Sequence, residues 1–209
     1  MAPDMPANLE RTWALVPLRG LETAKTRLAG ELDAEERLEL VMRMARRTLA
    51  ATCSAERIAG TVLVTADPEA AQLALRAGAE AIVQRIAGLN AAIREARALA
   101  IERGATAVVV LPIDLARVSA SALDAILATA ANTHAPNGLV VVVPDRHGSG
   151  TNLLLAAPPT VVDPAFGSDS RAAHAAAAAF AGATYQEVGG PLTLDVDTAE
   201  DLLAAEGAG

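Results

Sequence analysis

The chain has 209 residues, of which 52% are hydrophobic and 20% charged, with a formal net charge of -8. That length predicts one domain with an ample core, and the acidic balance argues against an extended nucleic-acid or membrane-surface footprint, since both need a basic patch. Aromatic residues make up 2%, which disfavours base stacking on aromatic platforms. The single cysteine, Cys53, excludes an intrachain disulfide and a zinc cluster and fits a reducing cytoplasm.

The first eleven residues contain two prolines and mixed charge but no apolar signal region. They are predicted to form a mobile extension, 1–11, before a domain that spans 12–209. The chain has no uninterrupted apolar stretch of membrane length, so no membrane contact is expected.

Short β-branched runs alternate with amphipathic stretches, which predicts an α/β fold with a largely parallel sheet covered by helices on both faces. The predicted strands are 12–16, 61–65, 81–83, 106–111, 139–143, 152–156, 184–188 and 192–194. The predicted helices are 33–52, 68–77, 89–103, 119–131, 170–181 and 199–205.

Three aspartates follow predicted strands: Asp114 after the central apolar strand, and Asp195 and Asp197 in Leu-Asp-Val-Asp. Ligands of α/β sheets bind outside the carboxyl ends of the strands. Side chains at i and i+2 of an extended segment share a face, so the aspartate pair could face one hard cation. The alternative is helix capping, by Asp114 for a helix near Ser119 and by Asp197 in a capping box with Glu200.

The loop after the first strand carries three cations, Arg19, Lys25 and Arg27. It lacks the glycine fingerprints of dinucleotide-binding folds and P-loops, so those functions lose support. Lysine and arginine together suit a triphosphate. The alternative is that these are solvated surface charges.

Two further loops have the composition of ligand-binding loops. The stretch 144–152 contains Gly148 and Gly150, which allow close backbone approach to a ligand, although a plain hairpin turn explains them equally well. The stretch 166–171 leads into a helix whose N-terminus could bind an anion, with ordinary capping by Ser168 or Asp169 as the alternative.

The three histidines, His134, His147 and His174, lack metal-ligand spacing to one another, and the chain has no Gly-x-Ser-x-Gly nucleophile signature. Covalent serine or cysteine catalysis is therefore disfavoured. If the ligands are two anions, an ionised phosphate oxygen can attack without a general base, and positioning and charge neutralisation carry the catalysis.

Taken in order, five segments resemble the CofC/FbiD family of guanylyltransferases in coenzyme F-420 biosynthesis. They are Val-Pro-Leu at 16–18 with Lys25 and Arg27, Leu-Pro-Ile-Asp at 111–114, the loop 145–152 ending in Gly-Thr-Asn, Phe-Gly-Ser-Asp-Ser at 166–170 with His174, and Leu-Asp-Val-Asp-Thr at 194–198. The resemblance runs from about Thr12 to Leu203. It implies a nucleotidyltransferase fold of the molybdopterin guanylyltransferase type, with a mixed, mostly parallel sheet.

The resemblance also implies roles for individual residues. It assigns metal binding to Asp114, Asp195 and Asp197, and catalysis to Lys25, Arg27 and Asp114. It assigns the nucleotide to Pro17, Leu18, Lys25 and Asn90, and the acid substrate to Thr151, Asn152, Gly167 and Ser170. One departure is that Leu-Ala-Arg follows Asp114, where the family usually has Leu-Pro.

The implied reaction couples GTP to a phosphorylated three-carbon acid with Mg²⁺ and releases pyrophosphate. Phosphoenolpyruvate is the favoured acid, with 2-phospho-L-lactate and 3-phosphoglycerate as alternatives, and the pathway's downstream transferase is an implied partner. Other interpretations are a nucleotidyltransferase acting on a sugar phosphate or molybdopterin, a non-catalytic nucleotide-binding module, and an α/β interaction domain whose acids only cap helices.

Overall fold

A computed structural model describes residues 7–18, 28, 30, 32–196 and 201. Its strands are β1 Thr12–Leu18, β2 Ile58–Thr65, β3 Glu80–Val83, β4 Ala107–Val110, β5 Leu139–Pro144, β6 Thr151–Ala157 and β7 Thr184–Glu187. Its helices are α1 Ala34–Ser54, α2 Pro68–Arg76, α3 Leu89–Glu102, α4 Ala120–Ala131 and α5 Ser170–Ala181.

The strands form one sheet in the order β3-β2-β1-β4-β6-β5-β7. β6 runs antiparallel to both of its neighbours, while the other strand pairs are parallel. The prediction of a mixed, mostly parallel sheet between helices is thereby confirmed. Because β6 runs the opposite way, its first residues lie at the same sheet edge as the carboxyl ends of β1, β4 and β5.

Two apolar clusters lie on the two faces of the sheet, and the two-residue period of the strands divides side chains between them. In β1, Ala14 and Val16 join the cluster beneath α1, α2 and α4. Trp13 and Leu15 join the cluster beneath α3 and α5. The central strands are buried on both sides, which explains their continuous aliphatic runs.

Helices α1 and α2 begin at side-chain caps that are local in sequence. Asp33 accepts hydrogen bonds from the backbone N–H groups of Glu35 and Glu36, and the Glu36 carboxylate accepts one from the Asp33 N–H, which completes a capping box. Asp67 caps α2 by accepting hydrogen bonds from the N–H groups of Glu69 and Ala70, without the reciprocal bond of a capping box, and Pro68 holds the first helical position. The predicted starts of both helices follow from these caps.

One predicted strand is wrong. Residues 192–194 were expected to be extended, but Pro191–Thr193 forms a 3₁₀ turn after Gly190, whose φ is 131°. Proline fixes its own φ near the helical value and a left-handed glycine reverses the chain before it, so the local backbone favours a turn. The backbone becomes extended at Leu194, two residues after the predicted start of the strand.

Residues 7–11 of the predicted extension lie against the domain. The Arg11 guanidinium donates to the carbonyl oxygens of Gly104 and Arg103 at 3.1 and 2.8 Å. No helix within the described ranges combines the length and apolar character needed to cross a membrane.

Candidate active site

The candidate site lies at the sheet edge where β1, β4 and β5 end and β6 begins. The predicted ligand residues on these elements therefore converge although they are far apart in sequence. The segment that follows β4 carries a carboxylate side chain. The start of β6 and the start of α5 carry uncharged hydrogen-bond donors.

Asp114 and Asp195 are brought together by backbone pairing. The Val196 N–H donates to the Asp114 carbonyl at 3.0 Å, and the Ala116 N–H donates to the Leu194 carbonyl at 2.9 Å. Leu115 and Asp195 face each other in an antiparallel bridge. Both aspartates are half-buried, so two carboxylates lie on adjacent backbone segments in partial shelter from water.

Helix α1 holds the turn that carries Asp114. The Thr48 hydroxyl donates to the Ile113 carbonyl at 3.2 Å, and Arg47 Nη2 donates to the Leu115 carbonyl at 3.0 Å. The capping alternative for Asp114 is wrong, because the Ser119 hydroxyl is the group that accepts the α4 cap bond, from the Ala122 N–H. Asp114 therefore does not cap α4.

The donor chemistry of this pair fits a hard divalent cation, which prefers carboxylate oxygens. Across the described ranges, three His, Cys, Asp or Glu side chains do not gather into a metal-binding group. Asp197, the third predicted ligand, lies outside the described residues, as does its capping-box alternative with Glu200. Asp114 and Asp195 are thus the two described residues that would hold a cation.

Two predicted substrate-binding residues, Thr151 and Asn152, lie at a β-bulge at the start of β6. Val143 pairs with Leu153, but Pro144 pairs with Thr151, so Asn152 is an extra residue in β6. Bulges re-aim side chains next to active sites. The buried Asn152 amide donates to the Leu192 carbonyl at 3.0 Å, which ties β6 to the 3₁₀ turn immediately before Asp195.

Thr151 points toward α5, where it meets a buried histidine. Its hydroxyl lies 3.1 Å from His174 Nδ1, and His174 Nε2 accepts a hydrogen bond from the Ala165 backbone N–H at 3.1 Å. His174 is fully buried, and burial lowers its pKa from 6.5 to about 4. The ring is therefore neutral near pH 7.

Asn90 forms two hydrogen bonds with the loop that precedes α5. Its amide donates to the Phe166 carbonyl at 3.0 Å and accepts from the Phe166 N–H at 2.9 Å. The Phe166 ring meets the His174 ring edge-on, with centroids 5.1 Å apart. Asn90 is thus engaged with the protein backbone, and a contact with the nucleotide stays a prediction.

The N-terminus of α5 is shaped by backbone geometry. Gly167 has φ of 139° and Asp169 has φ of 54°, and no side chain caps the helix. Capping by the Asp169 side chain, the alternative to an anion site, is therefore wrong. Ser170 is buried at the first helical position, one turn before His174 on the same side of the helix.

The hairpin loop 145–150 is preformed by its own hydrogen bonds. Asp145 Oδ1 accepts from the N–H groups of Ser149 and Gly150 at 2.9 and 3.0 Å. Arg171 donates to the Gly148 carbonyl and pairs in a bidentate manner with Glu187, whose pKa it lowers by hydrogen bonding. The hairpin alternative is correct, and the loop also packs against the start of α5.

One ion pair of this region was missed by sequence reasoning. Arg146 Nη2 pairs with Asp201 Oδ1, whose side chain is 4% exposed. The pair links the hairpin loop to the chain beyond Leu-Asp-Val-Asp. Its only sequence signal is that both residues flank predicted ligand motifs.

The predicted nucleotide residues lie partly within the described chain. Pro17 and Leu18 are the last residues of β1 and pair with Val64 and Thr65. The Leu18 side chain is buried in the core, so only its backbone can face a ligand. Lys25 and Arg27 lie outside the described residues.

Solved structures share this fold. A candidate nucleotide-diphospho-sugar transferase from Desulfovibrio desulfuricans aligns with a TM-score of 0.73 at 17% identity, covering 91% of this chain and 84% of its own. A 4-diphosphocytidyl-2C-methyl-D-erythritol synthase aligns with a TM-score of 0.64 at 16% identity, covering 93% and 96%. These likenesses show the fold.

Sequence comparison is more specific. Residues 12–206 match the family described as "Guanylyl transferase CofC like". The phosphoenolpyruvate guanylyltransferase of Sphaerobacter thermophilus is 38% identical over 193 residues, covering 91% of this chain and 90% of its own. That of Conexibacter woesei is 39% identical over 195 residues, covering 91% and 85%. This chain therefore belongs to the CofC-like guanylyl transferase family and is a nucleotidyltransferase.

Proposed function

We propose that this chain transfers the guanylyl group of GTP to phosphoenolpyruvate, giving enolpyruvyl-diphospho-guanosine and pyrophosphate. The observation that carries the proposal is the meeting of two unlike regions at one sheet edge. Asp114 and Asp195 lie on paired backbones, and Thr151 lies beside the N-terminus of α5. The names of the curated relatives support the same acid substrate.

The chemistry requires little from side chains beyond placement. A phosphate oxygen of the acid attacks the α-phosphorus of GTP, and the bond between that phosphorus and the bridging oxygen to the β-phosphate breaks. Pyrophosphate leaves with the bond's electron pair. The attacking oxygen is already ionised near neutral pH, so positioning and charge neutralisation supply the catalysis.

The neutral donors fit the acid substrate. The hydroxyls of Thr151 and Ser170, the exposed Gly167 backbone and the positive end of the α5 dipole would bind its phosphate and carboxylate. Asn152 would position the segment that carries Asp195, through its hydrogen bond to the Leu192 carbonyl. That donor would not contact the substrate.

The carboxylates of Asp114 and Asp195 would hold Mg²⁺, with Asp197 as the third ligand. A divalent cation bound there would reduce the repulsion between the two anionic reactants. Lys25 and Arg27 would draw charge onto the departing pyrophosphate, and Pro17, Leu18 and Asn90 would border the nucleotide. The product would enter coenzyme F-420 biosynthesis in the cytoplasm, where the downstream transferase would receive it.

The test measures pyrophosphate release from purified protein with GTP and Mg²⁺. Phosphoenolpyruvate, 2-phospho-L-lactate and 3-phosphoglycerate are added in parallel, and release is expected with phosphoenolpyruvate. Asp195→Asn should reduce the rate by about 10²- to 10³-fold, because it removes a charge at the reacting phosphates.

Glu102→Gln is the control, since Glu102 is exposed at the end of α3, which leads into the amino end of β4 at the opposite edge of the sheet. Its rate should equal that of the unmodified protein. Release with none of the acids would overturn the proposal, and release with another acid alone would replace phosphoenolpyruvate as the substrate.

A further inference from the structure

His174 makes two hydrogen bonds whose directions determine each other. The Ala165 backbone N–H can only donate, so His174 Nε2 must accept and carries no proton. A neutral imidazole has one N–H, which then lies on Nδ1. The partner of Nδ1 is the Thr151 hydroxyl, 3.1 Å away.

The direction of the second bond decides what Thr151 can do. Because Nδ1 donates, the Thr151 oxygen accepts, and its single hydroxyl proton points away from the histidine. Thr151 is 8% exposed, whereas His174 is fully enclosed. The hydroxyl proton is therefore left for donation to a group other than His174.

The tautomer is held by a frame that extends to a different helix. Asn90, on α3, fixes both backbone polar groups of Phe166, the residue after Ala165. The Phe166 ring packs edge-on against the imidazole. The Ala165 N–H thus has little freedom to turn away from Nε2, and the low pKa of His174 keeps the ring neutral near pH 7.

We infer that His174 is a positioning residue, held as the Nδ1–H tautomer by the Ala165 backbone, that makes the Thr151 hydroxyl a donor to the anionic acid substrate. This inference rests on the proposed function for the identity of that acid. His174 does not touch substrate in this arrangement. It acts through the orientation of one proton.

The first measurement is independent of turnover. Long-range ¹H–¹⁵N correlation spectra of protein labelled at the histidine rings distinguish Nδ1–H from Nε2–H, and His174→Phe identifies which of the three ring signals belongs to position 174. The expected result is a neutral Nδ1–H ring at pH 7. An Nε2–H tautomer, or a ring that titrates near pH 6.5, would overturn the inference.

The second measurement is a double-mutant cycle on steady-state kinetics. Thr151→Val removes the hydroxyl at nearly constant volume and should raise KM for phosphoenolpyruvate by about 10- to 100-fold, with KM for GTP unchanged. His174→Phe should raise the same KM. In the Thr151→Val background, His174→Phe should change it by no more than about twofold, because the hydroxyl it acts through is gone.

A purely structural role for His174 predicts a different pattern. The two substitutions would then raise KM independently, and their effects would multiply, which would overturn the inference. His174→Asn serves as the conservative variant, because its amide N–H falls near the position of Nδ1, and it should recover most of the affinity for the acid. A rise in KM for both substrates, without recovery by asparagine, would equally count against the role.

The two proposals fail in distinguishable ways. An Nδ1–H ring in a protein that releases no pyrophosphate with any acid would count against the proposed function. Normal turnover with phosphoenolpyruvate by a protein with an Nε2–H ring would count against His174 alone. Should His174→Phe fail to fold, the tautomer is still read from the unmodified protein, with His134→Phe and His147→Phe identifying the other two signals.

Discussion

The two halves of the molecule are held together in different ways. In the first half, helices α1 and α2 begin at aspartates that bond to backbone groups two or three residues away. The site, most of which lies in the second half, is tied by hydrogen bonds between residues distant in sequence, such as Asn90 of α3 to Phe166, 76 positions apart, and Asn152 to Leu192, 40 positions apart. The first set stabilises single elements, and the second set aligns different elements with each other.

The difference separates stability from function. A lost local cap weakens one helix end, whose effect on the sheet edge is indirect. The loss of a long-range hydrogen bond leaves the second residue of that bond with an unsatisfied polar group. It also frees a loop that carries predicted ligand-binding residues. Substitutions in the two halves should therefore divide between effects on unfolding alone and effects on both unfolding and the acid KM.

The largest stability effect is expected from acid pH acting on His174. Burial lowers its pKa from 6.5 to about 4, so between those pH values the unfolded chain binds a proton that the folded protein excludes. Stability is unaffected above pH 6.5 and falls as the pH drops through this window, by up to about 3 kcal/mol. Urea unfolding from pH 7 to pH 4 measures the slope.

His174→Phe should flatten that slope, because the titrating ring is gone. His134→Phe is the matched control, since His134 is exposed, and it should keep the slope of the unmodified protein. Equal slopes in all three proteins would show that His174 is not the group responsible.

The next effect is expected for Asn90→Leu, which removes both hydrogen bonds to Phe166 at similar side-chain volume. Two half-buried backbone groups lose their partner, at a cost of about 1–3 kcal/mol. The Ala165 N–H should also lose its alignment with His174, so KM for the acid should rise. Thermal unfolding and kinetics are measured on the same preparation.

Asn132→Leu provides the comparison, because Asn132 is exposed and bonds only within the end of α4. It should change stability by less than about 0.5 kcal/mol and leave KM unaltered. If Asn90→Leu lowered stability with an unchanged acid KM, the claimed link from α3 to the substrate subsite would be broken.

A third substitution tests tight packing in the first half, at a glycine that lies against the Trp13 ring. A Cβ on Gly60 would lie 2.6 Å from the Trp13 ring, which is 6% exposed in the core. Gly60→Ala should cost about 1–3 kcal/mol through overpacking, with KM for the acid unchanged. Trp13 is the single tryptophan, so its fluorescence reports the displacement directly.

Gly189→Ala is its control, because a Cβ there meets no atom within 4 Å. It should leave both stability and the tryptophan spectrum nearly unchanged. If Gly60→Ala lowered the turnover rate of protein that is still folded, the two halves would be less separable than the hydrogen bonds indicate.

The smallest effect compares two aspartates at helix starts. Asp33→Ala removes a capping box and should cost about 1 kcal/mol. Asp169 makes no cap bond and has a left-handed φ of 54°, so Asp169→Gly should be neutral or slightly stabilising. Chemical unfolding of both variants decides it, and a greater loss from Asp169→Gly would contradict the contrast between a capped α1 and an uncapped α5.

Most helices and strands were predictable because their signals are local. The buried aliphatic runs of β4 and β5, and the capping box at Asp33, can be read without knowing the fold. The turn at Pro191–Thr193 was missed because a short apolar run fits a strand as well as a turn. The roles of Asn90 and Asn152 were not predictable as observed, since an amide carries no sequence signal of the distant backbone group it will bond.

The sequence by itself determined most of the described elements, the sheet class, and the family to which its motifs belong, because periodicity, caps and motif residues act over a few positions. The tertiary structure alone decided that Asp195 lies beside Asp114, that Asn152 is an extra, bulged residue in β6, and that His174 meets Thr151. These are pairings between separate elements. They depend on strand register and helix docking, which are set by the packing of the whole core.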